Sequence, residues 1–403
     1  MKYVFKISLL SIVFFTFLSC SSSEPIDEVI TQDQLTVSTL NTFSADQESQ
    51  SLEITANLYW YTESDLNWLT ISPRFGTNDG TVNITAASNP NFEERSGTIK
   101  VIGGNLTRNV TITQEAKVDN GGVLDPNKTP AQNFDLSTWK LNTPENNGSG
   151  FSKTISVSEI NGGYEDDNYF YTGTDGGLVF KCPVEGFKTS ANTSYTRVEL
   201  REMLRGTDTS IPTQGVNKNN WVFGSSPTSD KNAAAGFDGE MNVTLAVNHV
   251  TTTGSSSHVG RVIIGQIHAN DDEPVRLYYR KLPNNSLGAI YFAHEPRDGF
   301  GSEQWYDMIG SRSNSAANPT DGIALDEKFS YQIKTVNNTL TVTISREGKP
   351  DVVETVDMSN SGFDQTGQYQ YFKAGLYHVN NSGTAIDYAQ ATFYQIEKSH
   401  TIN

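Results

Sequence analysis

The chain has 403 residues, too many for one small core, so its length predicts two domains behind a leader. Its 46 acidic residues outnumber its 29 basic ones and leave a formal net charge of −17. This balance argues against nucleic-acid binding, which needs a basic surface, but it allows a local basic cleft for an anionic ligand.

The first twenty residues have the pattern of a targeting segment. Two lysines precede a largely apolar stretch, 7–18, that is too short to span a membrane comfortably. It ends in Phe17-Leu18-Ser19-Cys20, which resembles the lipobox of bacterial lipoproteins, with Phe where Leu is more usual. The resemblance implies a lipid on Cys20 that anchors the protein at the cell envelope, at the outer membrane or cell surface. The alternative is an ordinary signal peptide cut nearby. With Cys20 lipidated, only Cys182 remains, and no intrachain disulfide is expected.

A small β-sandwich is predicted for residues 35–117, behind a polar, acidic tether at 21–34. Segments such as Leu52–Ala56 and Thr81–Thr85 alternate apolar and polar residues. Turn formers such as Asn78-Asp79-Gly80 separate these segments.

Three landmarks in this region resemble those of BACON domains, which are immunoglobulin-like modules often found at the start of Bacteroidetes surface carbohydrate enzymes. They are Trp68–Ser72, Arg95–Ile99 and Ile112–Ala116. The resemblance implies glycan binding through exposed aromatic residues such as Trp60 or Tyr61. A spacer with Trp68 in its core is the alternative, and it is the reading that we favour.

An all-β jelly-roll or related sandwich is predicted for residues 131–403, after a linker at 118–130. Strand-like segments separated by Gly, Asn, Ser and Thr continue to the end of the chain without a repeat. Thr339–Ile344 alternates cleanly, and Asn337-Asn338 before it favours a hairpin turn.

Three segments of this region carry groups suited to chemistry. In Tyr371–Tyr377 a period of two places Tyr371, Lys373, Gly375 and Tyr377 on one face, above an apolar underside, so the strand resembles the floor of a polar groove.

Arg197–Glu202 has the same construction when it is interpreted as a strand. Arg197, Glu199 and Arg201 then project together, and the glutamate is expected to hold both guanidinium groups for binding a carboxylate. The alternative is a helical turn, with Arg197, Arg201 and Arg205 on a solvated face.

Arg261–His268 is a nearly continuous apolar run, as expected of a strand buried on both faces. It places Gln266 and His268 on one face. Burying an amide and an imidazole costs free energy unless both have partners, and a ligand could be one of them. A lone histidine is a weak signal, because the chain contains five others (His249, His258, His294, His378 and His400).

Together the three segments resemble polysaccharide lyase family 7, the alginate lyases. That family carries, in this order, the motifs Arg-x-Glu-Leu-Arg, Gln-(Ile/Val)-His and Tyr-x-Lys-x-Gly-x-Tyr. The resemblance covers about residue 131 to the end of the chain and implies a jelly-roll with an open groove across one sheet. One departure is Val379, where the family commonly has Gln; Asn380 or Asn381 is expected to replace that amide.

The resemblance also implies roles in a β-elimination. Arg197 and Gln266, helped by His268, neutralise the carboxylate beside C5 of a uronate, and Tyr377 protonates the leaving O4. Tyr377 also serves as the base for mannuronate, whereas His268 is the base for guluronate.

Substrate binding is expected from Glu199, Arg201, Lys373 and Tyr371. In the family, Ile at the position of Ile267 tends to accompany a preference for guluronate-containing blocks. Cleavage within chains is expected, and so is a monomeric protein. The scheme requires no cofactor. The sequence shows no closely spaced set of metal ligands, although a structural Ca²⁺ in an Asp/Asn loop stays open.

Three other functions compete with this hypothesis. A laminarinase-like glycoside hydrolase needs paired carboxylates on one strand, and the nearest candidate, Asp238-Gly239-Glu240, is broken by glycine. A lyase acting on another polyuronate, such as glucuronan, is the second. A non-catalytic surface glycan-binding lipoprotein is the third, and the intact set of Arg197, Gln266, His268 and Tyr377 argues against it.

Overall fold

The computed structural model describes residues 32–402 except 46–47, 67, 88, 90–93 and 116–123. The predicted targeting segment with Cys20, most of the tether and half of the linker lie outside these residues. The chain divides into two compact units, 1–117 and 118–403. Within the described ranges, no helix is long and apolar enough to cross a membrane.

The described part of the first unit is a β-sandwich. Its strands are β1 Leu35–Val37, β2 Glu48–Ala56, β3 Tyr59–Glu63, β4 Leu69–Ser72, β5 Phe75–Thr77, β6 Gly80–Ala86, β7 Arg95–Gly103 and β8 Leu106–Gln114. They form two four-stranded sheets with the orders β1-β2-β6-β4 and β5-β3-β7-β8. The alternating burial along β2 and β6 puts one face of each strand into the core, as its sequence predicts.

The aromatic residues of this sandwich differ in part from the expectation. Trp60 is only 1% exposed, and its Nε1 donates to the Asn78 carbonyl oxygen at 2.7 Å, so it belongs to the core and the prediction of an exposed Trp60 is wrong. Trp68 packs against the core from its edge, with the Arg95 guanidinium 4.4 Å from its ring centre. Tyr61 is exposed, as predicted, and Tyr59 and Phe75 are exposed with it.

The second unit is almost entirely β-structure. Its helices are α1 Pro130–Asn133, α2 Val157–Asn161 and α3 Thr228–Ala233. Its strands are β9 Trp139–Asn146, β10 Ser152–Ile155, β11 Phe170–Thr172, β12 Leu178–Pro183, β13 Arg197–Glu202, β14 Phe237–His249, β15 Arg261–His268, β16 Val275–Arg280, β17 Leu287–His294, β18 Gln304–Ile309, β19 Ile323–Ala324, β20 Lys328–Val336, β21 Thr339–Ser345, β22 Val352–Asp357, β23 Tyr371–Tyr377 and β24 Tyr388–Thr401.

These strands form the two packed sheets of a jelly-roll. The first sheet has the order β10-β9-β13-β23-β15-β16-β17-β18, with β19 beside β17, and the second has the order β11-β12-β24-β14-β20-β21-β22. Apolar side chains of both sheets fill the space between them, for example Leu200 and Phe372 from the first sheet and Phe393 from the second. The opposite face of the first sheet, called the groove face below, carries the polar residues of β13, β15 and β23.

A buried ion pair joins the two sheets beneath β23. Glu202, at the end of β13, lies 3.0 Å from Lys398 Nζ and 2.8 Å from His400 Nε2, both on β24. The same carboxylate accepts hydrogen bonds from Trp221 Nε1 at 3.1 Å and from the Phe372 backbone N–H at 3.0 Å. Because one carboxylate contacts both sheets, it positions the start of β23 relative to β24.

Candidate active site

Strand pairing brings the three predicted segments together in the middle of the first sheet. Across β13 and β23, Arg197 pairs with Tyr377 and Arg201 with Lys373. Across β23 and β15, Lys373 pairs with Gln266 and Tyr371 with His268. All eight predicted site residues therefore lie on the groove face within three adjacent strands, and the helical alternative for Arg197–Glu202 is wrong.

Gly375 shapes the centre of β23 because it has no side chain. Its φ is +126°, and an added Cβ would lie 2.7 Å from the Val198 carbonyl oxygen. The pairing of β15 with β23 shifts register at this point. The missing side chain thus permits a bulge and a close approach between β23 and β13.

Glu199 lies at the centre of the site and is 1% exposed. Its carboxylate accepts a hydrogen bond from Arg197 Nη1 at 3.0 Å, forms an ion pair with Lys373, and accepts a hydrogen bond from the Gln266 amide. Burial alone would raise the pKa of Glu199, but Lys373 and Arg197 lower it below the ordinary value. Glu199 thus holds three groups from three strands, and its partners are Arg197 and Lys373 rather than the two predicted arginines.

The contacts of Arg201 favour a positioning role over the predicted contact with substrate. Its guanidinium donates to the Glu202 and Thr213 carbonyl oxygens at 2.8 and 2.9 Å and to Asn220 Oδ1 at 2.9 Å. The guanidinium carbon also lies 3.9 Å from the centre of the Tyr371 ring. Arg201 therefore anchors the loop that follows β13 and supports Tyr371.

Tyr377 lies between an arginine and another tyrosine. The guanidinium carbon of Arg197 is 4.0 Å from the Tyr377 ring centre, and the Tyr195 ring meets it edge-on at 5.8 Å. Burial raises the pKa of the Tyr377 phenol, and Arg197 opposes that rise. The phenol is thus protonated at neutral pH and can donate a proton.

His268 is held by contacts on both ring nitrogens. Its Nδ1 lies 2.7 Å from the Ala269 carbonyl oxygen, which can only accept, so Nδ1 carries the proton. Its Nε2 lies 3.2 Å from Glu273 Oε1, and the ring stacks on Tyr371 at 5.1 Å. Burial, with Lys373 and Arg197 nearby, lowers the pKa of His268 to about 3, so at neutral pH the ring is uncharged and can accept a proton on Nε2.

Lys373 supplies positive charge at the middle of the face. Burial and the neighbouring Arg197 lower its pKa to about 8, whereas Glu199 opposes the shift. The ammonium group therefore remains largely charged at neutral pH. It shares the carboxylate of Glu199 with Arg197.

Two residues near the site were missed by the sequence analysis. Glu273 lies on the turn after β15, where nothing in Asp271-Asp272-Glu273 distinguishes one acid from its neighbours. Tyr195 precedes β13 and contacts both Tyr377 and His258, with its hydroxyl 3.3 Å from His258 Nε2. Only the fold places these two residues beside His268 and Tyr377.

The expected replacement of the family's amide does not come from Asn380. Val379 packs into an apolar cluster with Ile263 and Tyr278. The Asn380 amide is fully buried and donates to Thr251 Oγ1 and the Thr253 carbonyl oxygen, each at 2.9 Å, so it stabilises a turn. Asn381 is exposed and remains the candidate.

The groove face can bind a carboxylate and move protons. Arg197 and Lys373 supply positive charge, Gln266 an amide, His268 an acceptor nitrogen and Tyr377 a proton donor. The carboxylates that a hydrolase would need are elsewhere: Asp238 and Glu240 belong to β14 in the other sheet. Among the residues that the structure describes, no three His, Cys, Asp or Glu side chains are placed to hold a metal ion.

Both units of the chain resemble known proteins. A family model described as alginate lyase matches residues 134–400, and the BACON model, which describes an N-terminal binding domain, matches residues 58–115. An alginate lyase of Klebsiella pneumoniae is 56% identical over 279 residues, which cover 67% of this chain and 91% of that protein.

Solved structures of alginate lyases resemble the second unit. The crystal structure of the alginate lyase from Klebsiella pneumoniae superposes with a TM-score of 0.67 at 54% identity, covering 68% of this chain and 98% of that one. The exolytic family 7 alginate lyase AlyA5 from Zobellia galactanivorans has a TM-score of 0.51 at 21% identity, covering 68% and 99% of the two chains. The second likeness supports the fold alone.

Proposed function

This chain belongs to the alginate lyases of polysaccharide lyase family 7, and from that premise we propose that it cleaves within alginate chains and accepts guluronate-containing blocks. We further propose that Arg197, Gln266, His268 and Tyr377 carry out the elimination. The observation that carries the proposal is the pairing of β13, β23 and β15, which brings all four residues onto one face, with Arg197 and Gln266 both bound to the buried carboxylate of Glu199.

The first requirement of the reaction is to make C5 acidic. A negative carboxylate on C5 opposes loss of the C5 proton, because the resulting enolate would carry a second negative charge. Arg197 and the Gln266 amide lie where they can neutralise that carboxylate and stabilise the developing charge. Glu199 holds both groups before substrate arrives, so little reorganisation is needed during the reaction.

The second requirement is a base and an acid. His268 Nε2 accepts the C5 proton, the electron pair of that C–H bond becomes the C4–C5 double bond, and the C4–O4 bond breaks as Tyr377 protonates O4. The proton on His268 then returns through solvent to the Tyr377 phenolate, which restores the enzyme.

The placement of the two groups supports guluronate as a substrate. His268 lies beside Tyr371 at the start of β23, whereas Tyr377 is at its end. In guluronate the C5 proton and O4 lie on opposite sides of the ring, so a base and an acid that approach from opposite ends of one strand suit this substrate.

The extent of the groove face supports cleavage within chains. One cross-strand row contains Lys140, Arg201, Lys373, Gln266 and Arg276, on five adjacent strands. At about 4.8 Å between strands, the row spans roughly 19 Å, which exceeds the length of one sugar.

The test uses purified enzyme with guluronate-rich, mannuronate-rich and mixed alginate, and with glucuronan as a control polyuronate. We expect ultraviolet absorbance from unsaturated uronates, a rapid fall in viscosity, and early products of several sugars. The absence of absorbance with every alginate would contradict the activity. Release of monomers alone from the first minutes would contradict cleavage within chains.

The N-terminal sandwich has a second candidate function. Tyr59 and Phe75 are 55% and 63% exposed on adjacent strands, with ring centres 6.4 Å apart, and Tyr61 is exposed beside them. This patch favours glycan binding over a plain spacer. We expect Tyr59→Ala/Phe75→Ala to reduce retention on an alginate gel while activity on short oligosaccharides stays unchanged, with Ile386→Ala as an exposed control. Unchanged retention would favour the spacer.

We also propose that the protein is held at the outer membrane by a lipid on Cys20. The support is the lipobox-like Phe17-Leu18-Ser19-Cys20 in the sequence. Expression in a Gram-negative host with labelled palmitate should give a labelled protein in the membrane fraction. Cys20→Ser should be unlabelled, and labelling of that variant would contradict the proposal.

A further inference from the structure

A cluster of positive charges extends the groove face beyond the catalytic residues. Lys140 of β9 pairs with Arg201 of β13, which pairs in turn with Lys373 of β23, so the three side chains share one face. Arg205, shortly after β13, is close enough to repel Lys140. None of the reaction steps above uses Lys140.

The charge of this cluster is only partly balanced. Glu199 is already shared by Arg197 and Lys373. Glu202, the other acid of β13, is bound to Lys398 and His400 of the second sheet. Arg201 donates its hydrogen bonds to uncharged acceptors.

Lys140 itself has no partner in the part of the chain that the structure describes. Its ammonium group makes no hydrogen bond or ion pair with any described residue. Burial and then the charges of Arg201, Lys373 and Arg205 lower its pKa to about 8. A half-buried cation surrounded by other cations is unfavourable, and an anionic group of a ligand would relieve that cost.

We propose that Lys140 forms a second carboxylate subsite, which binds a uronate neighbouring the one that is cleaved. The proposal rests on the proposed function. One strand, β13, lies between β9 and β23, so two inter-strand spacings place Lys140 roughly 10 Å from Lys373 along the cross-strand row. That separation suits carboxylates of different sugars in one chain and is too large for the two oxygens of a single carboxylate. Lys140 therefore contributes to binding of the polymer and leaves the chemistry unchanged.

The test replaces Lys140 by Met, which keeps the length of the side chain and removes the charge. Lys153→Met is the matched control, because Lys153 lies on the neighbouring strand β10 with its side chain 40% exposed and ion-paired at the surface. For guluronate oligosaccharides we expect Lys140→Met to raise KM about tenfold with kcat changed less than twofold, and Lys140→Arg to restore KM. Lys153→Met should change neither value.

A binding measurement separates this proposal from the catalytic one. In the Tyr377→Phe background, titration calorimetry with an alginate hexasaccharide should show a Kd about tenfold weaker after Lys140→Met, with a smaller dependence on salt. An unchanged KM and Kd, or a loss of kcat alone, would overturn the subsite. Absence of cleavage by the wild type would instead overturn the proposed function. Lys140→Gln serves as a second variant if the methionine impairs folding.

Discussion

The ring of Tyr377 is held by Arg197 on one face and by Tyr195 at its edge, so its position does not depend on its hydroxyl group. We therefore expect Tyr377→Phe to lower kcat by ~10³-fold, because O4 loses its proton donor, with KM nearly unchanged. Steady-state kinetics on guluronate-rich alginate measures both. Tyr195→Phe is the neighbouring control and should keep most activity. If Tyr377→Phe retained full activity, another group would have to be the acid.

Glu273 faces Nε2 of His268, the nitrogen that we propose accepts the C5 proton. A carboxylate 3.2 Å from His268 Nε2 stabilises the imidazolium that forms when the proton arrives. We expect Glu273→Gln to lower kcat about tenfold on guluronate-rich alginate and far less on mannuronate-rich alginate, where Tyr377 is expected to act as base. Equal losses on both polymers would show that Glu273 acts on something other than the base.

At the residue scale, motif and residue type predicted which groups lie on the groove face, but not every partner. The spacing of Arg197 and Glu199 places them on one face of their strand, and that of Lys373 and Tyr377 places those two on one face of theirs. That Glu199 binds Lys373 instead of Arg201 depends on which strand lies beside β13. No local pattern could have revealed it, since Arg201 and Lys373 are both plausible partners for a carboxylate.

The element that the site depends on most is β23, with its bulge at Gly375. An added Cβ there combines an unfavourable φ of +126° with a contact at 2.7 Å to backbone. We expect Gly375→Ala to lower the free energy of unfolding by about 2–3 kcal/mol and to reduce activity by displacing Glu199. Thermal unfolding and kinetics measure the two effects.

Gly348 provides the matched control for Gly375. Its φ of +69° is also positive, but nothing lies within 4 Å of an added Cβ. Gly348→Ala should therefore cost only about 1 kcal/mol and leave activity intact. Equal losses in the two variants would mean that β23 tolerates the added methyl group.

Several elements could be predicted because neighbouring residues alone favour them. Asn337 adopts a φ of +53° in the turn between β20 and β21, as its sequence favours. The alternation of apolar and polar residues in β2, β6 and β21 also predicted which face of each strand is buried. The bulge could not be predicted, because the contact that excludes a side chain at Gly375 is with the Val198 carbonyl oxygen. Val198 lies 177 positions earlier in the chain.

At the scale of the whole second unit, the ion pair of Glu202 with Lys398 and His400 joins the two sheets. Burial raises the pKa of Glu202, but Lys398 and His400 more than offset this and hold it well below the ordinary value. A carboxyl group with a lowered folded-state pKa stabilises the fold above its unfolded pKa, near ~4.3, and that contribution is lost as the pH falls further.

We therefore expect Glu202→Gln to destabilise the protein by about 3 kcal/mol at pH 7, because Lys398 is left buried without its counter-ion. The difference between the variant and the wild type should shrink progressively below pH ~4. Thermal unfolding at several pH values measures it. A difference that stayed constant down to strongly acidic pH would show that the charge of Glu202 contributes little.

The sequence by itself determined the all-β class, the polar faces of β13, β15 and β23 and the family to which the chain belongs, because alternation and short motifs are properties of neighbouring residues. Only the tertiary structure decided that Trp60 is buried, that Arg201 is bound within the protein, that Lys140 lies beside Arg201 and that Glu273 lies beside His268. Those facts depend on which strands become neighbours and on how closely two backbones approach. That choice is made by packing across the whole sheet, between residues that are distant in the chain.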